Sequence, residues 1–300
     1  MVHTNYIVNP RLAVFLSTLF WGTYWIPVRQ IEILSGSPYF SSIGFFIAGG
    51  ISICFSLSTK GFVRAMDLRN VLGCICVAAA ISLYTQGILY TSIANAVLLF
   101  YLSPVWGIFI GRFFAQIKFT VDRMSAIVFG LTGLVLVLGF GNLDMDGMTG
   151  NVMCILSGFL FAIAVTFFNS GRAIGTWYKL VFIGPTCGAF ILLSSFGSGE
   201  GVGITLDNFS WSSGLWIILF STVWVTLPLW LIIYAVHALD AVKMGLGMMF
   251  EIVVSLVSAA ILTQEQITLR QILGTILIIG ASLVDVFGLR FWNFNKHPKN

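Results

Sequence analysis

Apolar runs of about twenty residues follow one another along this chain with only short polar breaks between them, and that pattern leaves few folds open. A soluble helix needs a polar face. Here 58% of the 300 residues are hydrophobic and only 9% are charged, against roughly 25% charged in an ordinary soluble domain. Mean hydropathy is +0.98. The runs lie near 12–31, 39–59, 70–90, 93–115, 122–140, 149–170, 177–197, 213–237, 241–263 and 269–290. At about 1.5 Å per residue each covers roughly 30 Å, the thickness of the hydrocarbon core. Only helices or closed barrels satisfy their backbone there, and continuous runs without alternation select helices. The expected fold is an all-α polytopic membrane protein of ten transmembrane helices.

A net charge of +4 raises the question of a nucleic-acid partner, but the basic residues sit singly in the breaks, which is a topology signal, and no nucleic-acid partner is expected. With the N-terminus inside, thirteen Lys and Arg face the cytoplasm and only Arg29 and Arg270 face out. Omitting one span would put the clusters Lys60/Arg64/Arg69 and Arg112/Lys118/Arg123 on opposite sides. Both termini are therefore expected in the cytoplasm of a multi-pass protein of the inner (plasma) membrane. Arg11 precedes an apolar run from Leu12 to Val28 with no Ala-x-Ala site after it, so this run is read as a retained first helix.

Slid on itself by 148 residues, the chain aligns Leu102-Ser103-Pro104-Val105 with Phe250-Glu251-Ile252-Val253, Gln116 with Gln264, and Thr120 with Thr268. Five helices per half, an odd number, would send the second half into the membrane inverted, the plan of many secondary transporters. The expected halves are residues 1–143 and 144–300.

The segment Tyr90-Thr91-Ser92-Ile93-Ala94-Asn95-Ala96-Val97-Leu98-Leu99-Phe100-Tyr101-Leu102-Ser103-Pro104-Val105 resembles the third-to-fourth-helix signature of EamA-type members of the drug/metabolite transporter superfamily. Phe250-Glu251-Ile252-Val253, the stretch Ala259 to Thr268, and Gly274 are similar to the family's ninth helix and the acidic turn after it. Phe20-Trp21-Gly22 resembles the Trp-Gly of its first helix. Two positions depart: Ile252 stands where a proline is expected, and Ile117, beside Gln116, where an acid is expected. The resemblance implies two EamA-like five-helix repeats around a central cavity lined by helices one to four and six to nine, with helices five and ten peripheral. It leaves the substrate open, since members carry amino acids, sugars, carboxylates, purine-like metabolites or drugs.

Local signatures add detail. Thr268 with Gln271 three residues on predicts a capping box at the start of the last helix. Pro27, Pro104, Pro185 and Pro228 lie inside apolar runs, where each removes a backbone donor and invites a kink. Gly107/Gly111 and Gly184/Gly188 are small-residue pairs that permit close helix approach. Cys54, Cys74, Cys76, Cys154 and Cys187 all fall in apolar runs and read as small core residues. Asp144-Met145-Asp146-Gly147 lacks the further oxygen ligands of a calcium loop and reads as a turn.

Glu251 is the one acid in the middle of an apolar run, where a carboxylate costs a few kcal/mol even on insertion scales. It either takes up a coupling proton or meets a polar group of the solute; a hydrogen-bonded packing residue accounts for it equally well. Aromatic residues are the second feature: Trp21 and Tyr24 in the first run, Tyr84 in the third, Tyr101 in the fourth, Trp224 and Trp230 in the eighth. Trp21, Tyr101 and Trp224 fall close to the midplane, away from the interfacial belts, and aromatic faces there suit planar, apolar or cationic solutes. Gln86 and Asn95 are candidate polar partners. His237, Asp240 and Lys243, at the start of the ninth run, read as a solvated helix-end group, and Arg29 and Asp285 as anchoring or snorkelling residues.

The expected function is secondary-active transport of a small metabolite, an amino acid or similar neutral, zwitterionic or cationic solute, by export, with a coupling proton. Uptake of a sugar or carboxylate is the alternative; no Lys or Arg falls at midplane depth, which counts against an anionic solute such as a carboxylate. A polytopic membrane enzyme has no foothold in three histidines and no catalytic motif. A channel would need like-charge rings or filter loops. An accessory membrane protein stays open. No cofactor is expected; the expected partners are the solute and the bilayer, with a homodimer compatible.

Overall fold

The computed structural model describes residues 9–58, 67–115, 121–138, 145–171, 174–198, 210–236, 248, 250–263 and 266–287. Among them the secondary structure is entirely helical: α1 Pro10–Gly22, α2 Trp25–Ser35, α3 Ser41–Ser58, α4 Leu68–Tyr90, α5 Ile93–Phe100, α6 Ser103–Ala115, α7 Val121–Leu138, α8 Met145–Ser170, α9 Thr176–Ser198, α10 Trp211–Leu219, a π-helical segment Phe220–Thr226, α11 Leu227–Val236, α12 Phe250–Leu262 and α13 Leu269–Phe287. Five stretches among the described residues are long and apolar enough to cross a membrane: Leu68–Tyr90, Ile93–Gly111, Gly147–Phe168, Thr176–Ser195 and Trp211–Ala235. Met145, Asp146 and Gly147 open α8 where a turn was expected; a polar stretch just before a long apolar run is also what starts a helix.

Three of the four prolines leave a mark in the backbone. Pro27 has no N–H for the Thr23 carbonyl one turn back, so that carbonyl accepts from the Ile26 N–H at 3.0 Å, and the first run divides into α1 and α2 around Thr23 and Tyr24. Pro104 likewise cannot serve Phe100. The fourth run divides at Tyr101 and Leu102, where the Leu102 N–H turns back to the Leu99 carbonyl at 3.3 Å. Pro228 follows the π segment, in which the Leu227 N–H reaches Thr222 and the Thr226 hydroxyl reaches the Ser221 carbonyl, both five residues back. Pro185 differs, remaining inside a continuous α9.

Small residues set how closely the helices pack. α3 and α9 meet so tightly that a Cβ on Gly184 would come within 2.8 Å of the Gly49 nitrogen and 2.9 Å of the Phe45 carbonyl oxygen. Gly107 faces open space, so it is not a packing glycine. α4 lies along α8 and also contacts α9; α1 lies along α11 and α12; α5 and α6 lie against α8; α7 pairs with α13; and α3 touches the π segment. The capping box forms as expected. Gln271 Oε1 accepts from the Thr268 N–H at 2.9 Å, and the Thr268 hydroxyl accepts from the Gln271 N–H at 3.3 Å. Of the cysteines, Cys74, Cys154 and Cys187 are buried, Cys76 is half-buried and Cys54 is exposed.

Candidate functional site

The backbone break at Thr23 and Tyr24 is held by three other elements. From α4, the Thr85 hydroxyl lies 2.7 Å from the Tyr24 hydroxyl and donates its own hydrogen to the Ile81 carbonyl. From the π segment, the Trp224 indole N–H donates to the Thr23 hydroxyl at 3.1 Å. From α12, Ser258 accepts the Trp25 indole N–H at 3.0 Å and reaches the Gly22 carbonyl at 3.4 Å. A Cβ on Gly22 would stand 3.1 Å from the Glu251 carbonyl oxygen and 2.6 Å from Val254, so its glycine lets α1 rest directly on α12.

Tyr101, at the break between α5 and α6, makes the matching contact from the other side. Its hydroxyl stands 2.8 Å from Glu251 Oε2 and 2.7 Å from the Met248 carbonyl oxygen. Glu251 is buried, 3% exposed, and among the described residues this hydroxyl is its hydrogen-bond partner. A chain of rings joins the two breaks: Trp21 to Tyr24 at 5.2 Å between centroids, Tyr24 to Tyr84 at 6.1 Å, Tyr84 to Phe100 at 5.2 Å, and Phe100 to Tyr101 at 5.7 Å. Phe220, from the π segment, packs on Tyr24 at 5.5 Å.

Two polar atoms in this neighbourhood are buried without a hydrogen-bond partner, Trp21 Nε1 and Ser255 Oγ. Ser255 lies four residues after Glu251, one turn along the same face of α12. Buried polar atoms are nearly always satisfied in proteins, so these two stand out beside the buried acid.

Of the expected site residues, Trp21, Tyr24, Tyr84, Tyr101 and Glu251 are thus gathered into one cluster, and Trp224 braces its edge. The others go elsewhere. Gln86 donates to the Pro38 carbonyl at 3.2 Å and fixes the approach to α3. Asn95 accepts from Gln271 Nε2 at 3.0 Å, linking α5 to α13. Trp230 stacks on Tyr234 at 5.0 Å and approaches Trp177 at 6.1 Å, in a separate aromatic group that continues to Phe55. Arg29 donates to the carbonyls of Ile88 and Thr91 at 3.2 and 3.1 Å, capping the end of α4. His237, Asp240 and Lys243 lie outside the described residues. Phe100, Phe220, Thr23, Thr85, Ser255 and Ser258 join the site without having been singled out from the sequence.

Discontinuous helices recur at the sites of many secondary transporters, and the comparisons with known proteins point to a transporter. Residues 10–139 match the EamA-like transporter family. Over 299 residues the chain is 23% identical to a Bacillus subtilis (strain 168) protein described as "Uncharacterized transporter YoaV", covering 94% of this chain and 98% of that one. A crystal structure superposes with a TM-score of 0.61 at 17% identity, covering 94% of this chain and 98% of the other, and so shares the fold. Together the two matches support an EamA-type, multi-pass membrane transporter of the drug/metabolite transporter superfamily.

Proposed function

We propose that this protein is a secondary carrier in which two inverted five-helix halves, residues 1–143 and 144–300, rock about the Glu251 cluster to move a small solute in exchange for a proton. The observation that carries this reading is the meeting of Tyr101 with Glu251, a contact between the two halves made at a helix break and inside an aromatic cluster. Ten spans follow if each broken or π-interrupted run is taken as one. The helix pairings support the inverted plan, because exchanging each span with the one five places on maps the main pairings onto one another. α4 with α8 becomes the α10–α11 run with the α1–α2 run, α5–α6 with α8 becomes α12 with α1, and α4 with α9 becomes the π segment with α3. The pairs α3–α9 and α7–α13 map onto themselves.

The solute class follows from chemistry. Among the described residues the cluster holds an acid, aromatic faces and two unpartnered polar atoms, with no Lys or Arg side chain between them. Such a lining favours a neutral, zwitterionic or cationic solute, an amino acid first, with Trp21 Nε1 donating to it and Ser255 Oγ adding a hydroxyl. Export is the proposed direction.

Counterflow of labelled amino acids, sugars, carboxylates and organic cations in proteoliposomes tests this. The expected result is saturable exchange of one neutral or cationic class, with Trp21→Phe raising the half-saturation concentration roughly three- to tenfold through loss of one hydrogen bond. Exchange of carboxylates alone, or no exchange by folded protein, would refute it.

A further inference from the structure

The Tyr101 hydroxyl has two oxygen neighbours and one hydrogen. Its distances to Glu251 Oε2 (2.8 Å) and to the Met248 carbonyl oxygen (2.7 Å) are both those of full hydrogen bonds. One hydrogen serves one of them fully. A carbonyl oxygen carries no proton, so the remaining contact is made good only when the Glu251 carboxyl supplies a hydrogen of its own. In that state Glu251 donates to the Tyr101 oxygen, and Tyr101 donates to Met248. When Glu251 gives its proton up, the hydroxyl turns to the carboxylate, a stronger acceptor, and the Met248 carbonyl loses its partner.

We infer that Tyr101 is a proton-dependent clasp between the two halves of the chain, holding Glu251 and the backbone at Met248 together while Glu251 is protonated and releasing Met248 when it is not. The inference rests on the proposed role of Glu251 as the proton carrier and adds how a proton there reaches the backbone. Both of its contacts join the α5–α6 break to the second half, since Met248 precedes α12 and Glu251 lies in its first turn. The surroundings leave Glu251 as the group that switches. α12 carries no other titratable residue, α5 carries none, and α1 rests on α12 through Gly22, beside Trp21. Among the described residues the remaining titratable groups facing Glu251 are the phenols of Tyr101 and Tyr84, with Tyr24 beyond Tyr84. Tyr101 acts through Glu251 and Met248, and is a positioning residue.

Infrared difference spectra of the full-length protein in phosphatidylcholine/phosphatidylglycerol vesicles, recorded between acidic and alkaline buffer, test this without any solute. The expected result is a carboxylic-acid carbonyl band that disappears in Glu251→Gln and moves to higher frequency in Tyr101→Phe, where the acid has lost its hydroxyl acceptor. An unshifted band in folded Tyr101→Phe, or no band assignable to Glu251, would overturn the clasp. Ring-labelled tyrosine supplies a second readout that does not depend on the folding of Tyr101→Phe. The phenol C–O band should respond to pH in the wild type and lose a one-tyrosine component of that response in Glu251→Gln; an identical response in the two proteins would overturn the inference. Transport plays no part in these spectra, so a failed flux assay and a failed clasp are separate results.

Discussion

Gln271 Nε2 donates to Asn95 Oδ1 at 3.0 Å while Gln271 Oε1 accepts from the Thr268 N–H at 2.9 Å, so one side chain both caps α13 and ties it to α5, 176 residues away. The cap and the tie are separable. Asn95→Ala removes only the tie, whereas Gln271→Ala removes the tie and half of the capping box. The expected loss is about 1 kcal/mol for Asn95→Ala and about 2 kcal/mol for Gln271→Ala, read as the order of their unfolding midpoints in detergent.

Tyr24 and Thr85 form an asymmetric pair. Thr85 donates to the Ile81 carbonyl at 2.7 Å, so Tyr24→Phe removes a donor and leaves Thr85 satisfied. Thr85→Val leaves a fully buried Tyr24 hydroxyl without an acceptor. Thr85→Val should therefore destabilise by roughly 1–3 kcal/mol, and more than Tyr24→Phe, in thermal denaturation of the purified protein.

Gly184 and Gly107 look alike in sequence and differ in the fold. Gly184→Ala pushes a methyl against the backbone of Gly49 and Phe45, separating α3 from α9, at a cost of roughly 1–3 kcal/mol. Gly107→Ala points into open space and should be neutral within about 0.5 kcal/mol. Expression level and unfolding temperature of the two variants check the difference.

How much of this was legible beforehand depended on how unusual each residue is for its place. Glu251 stood out because an acid inside an apolar run is costly, and its position in the structure bears out its burial. Tyr and Trp near the middle of a run carried a weaker signal. Trp21, Tyr24, Tyr84 and Tyr101 converge, but Trp230 belongs to another aromatic group, because position along a helix says nothing about which face it shows. Phe100 and Phe220 were hidden among 27 phenylalanines. Thr23, Thr85 and Ser258 were hidden because hydroxyls in apolar helices usually bond to their own backbone, as Thr23 does to Leu19 at 2.8 Å. The prolines predicted interruptions in the right runs without telling Pro104, which breaks its helix, from Pro185, which does not. The charged helix-end residues His237, Asp240 and Lys243 fall outside the described residues.

Glu251→Gln keeps the size of the side chain and its hydrogen-bond reach to Tyr101 but can no longer exchange a proton. The most direct measurement is solute accumulation in proteoliposomes under an imposed pH gradient, with counterflow in the same vesicles at equal pH as the control. If Glu251 carries the coupling proton, the variant exchanges solute at close to the wild-type rate while its pH-driven accumulation falls to the level of protein-free vesicles. Accumulation equal to that of the wild type would contradict proton coupling at Glu251.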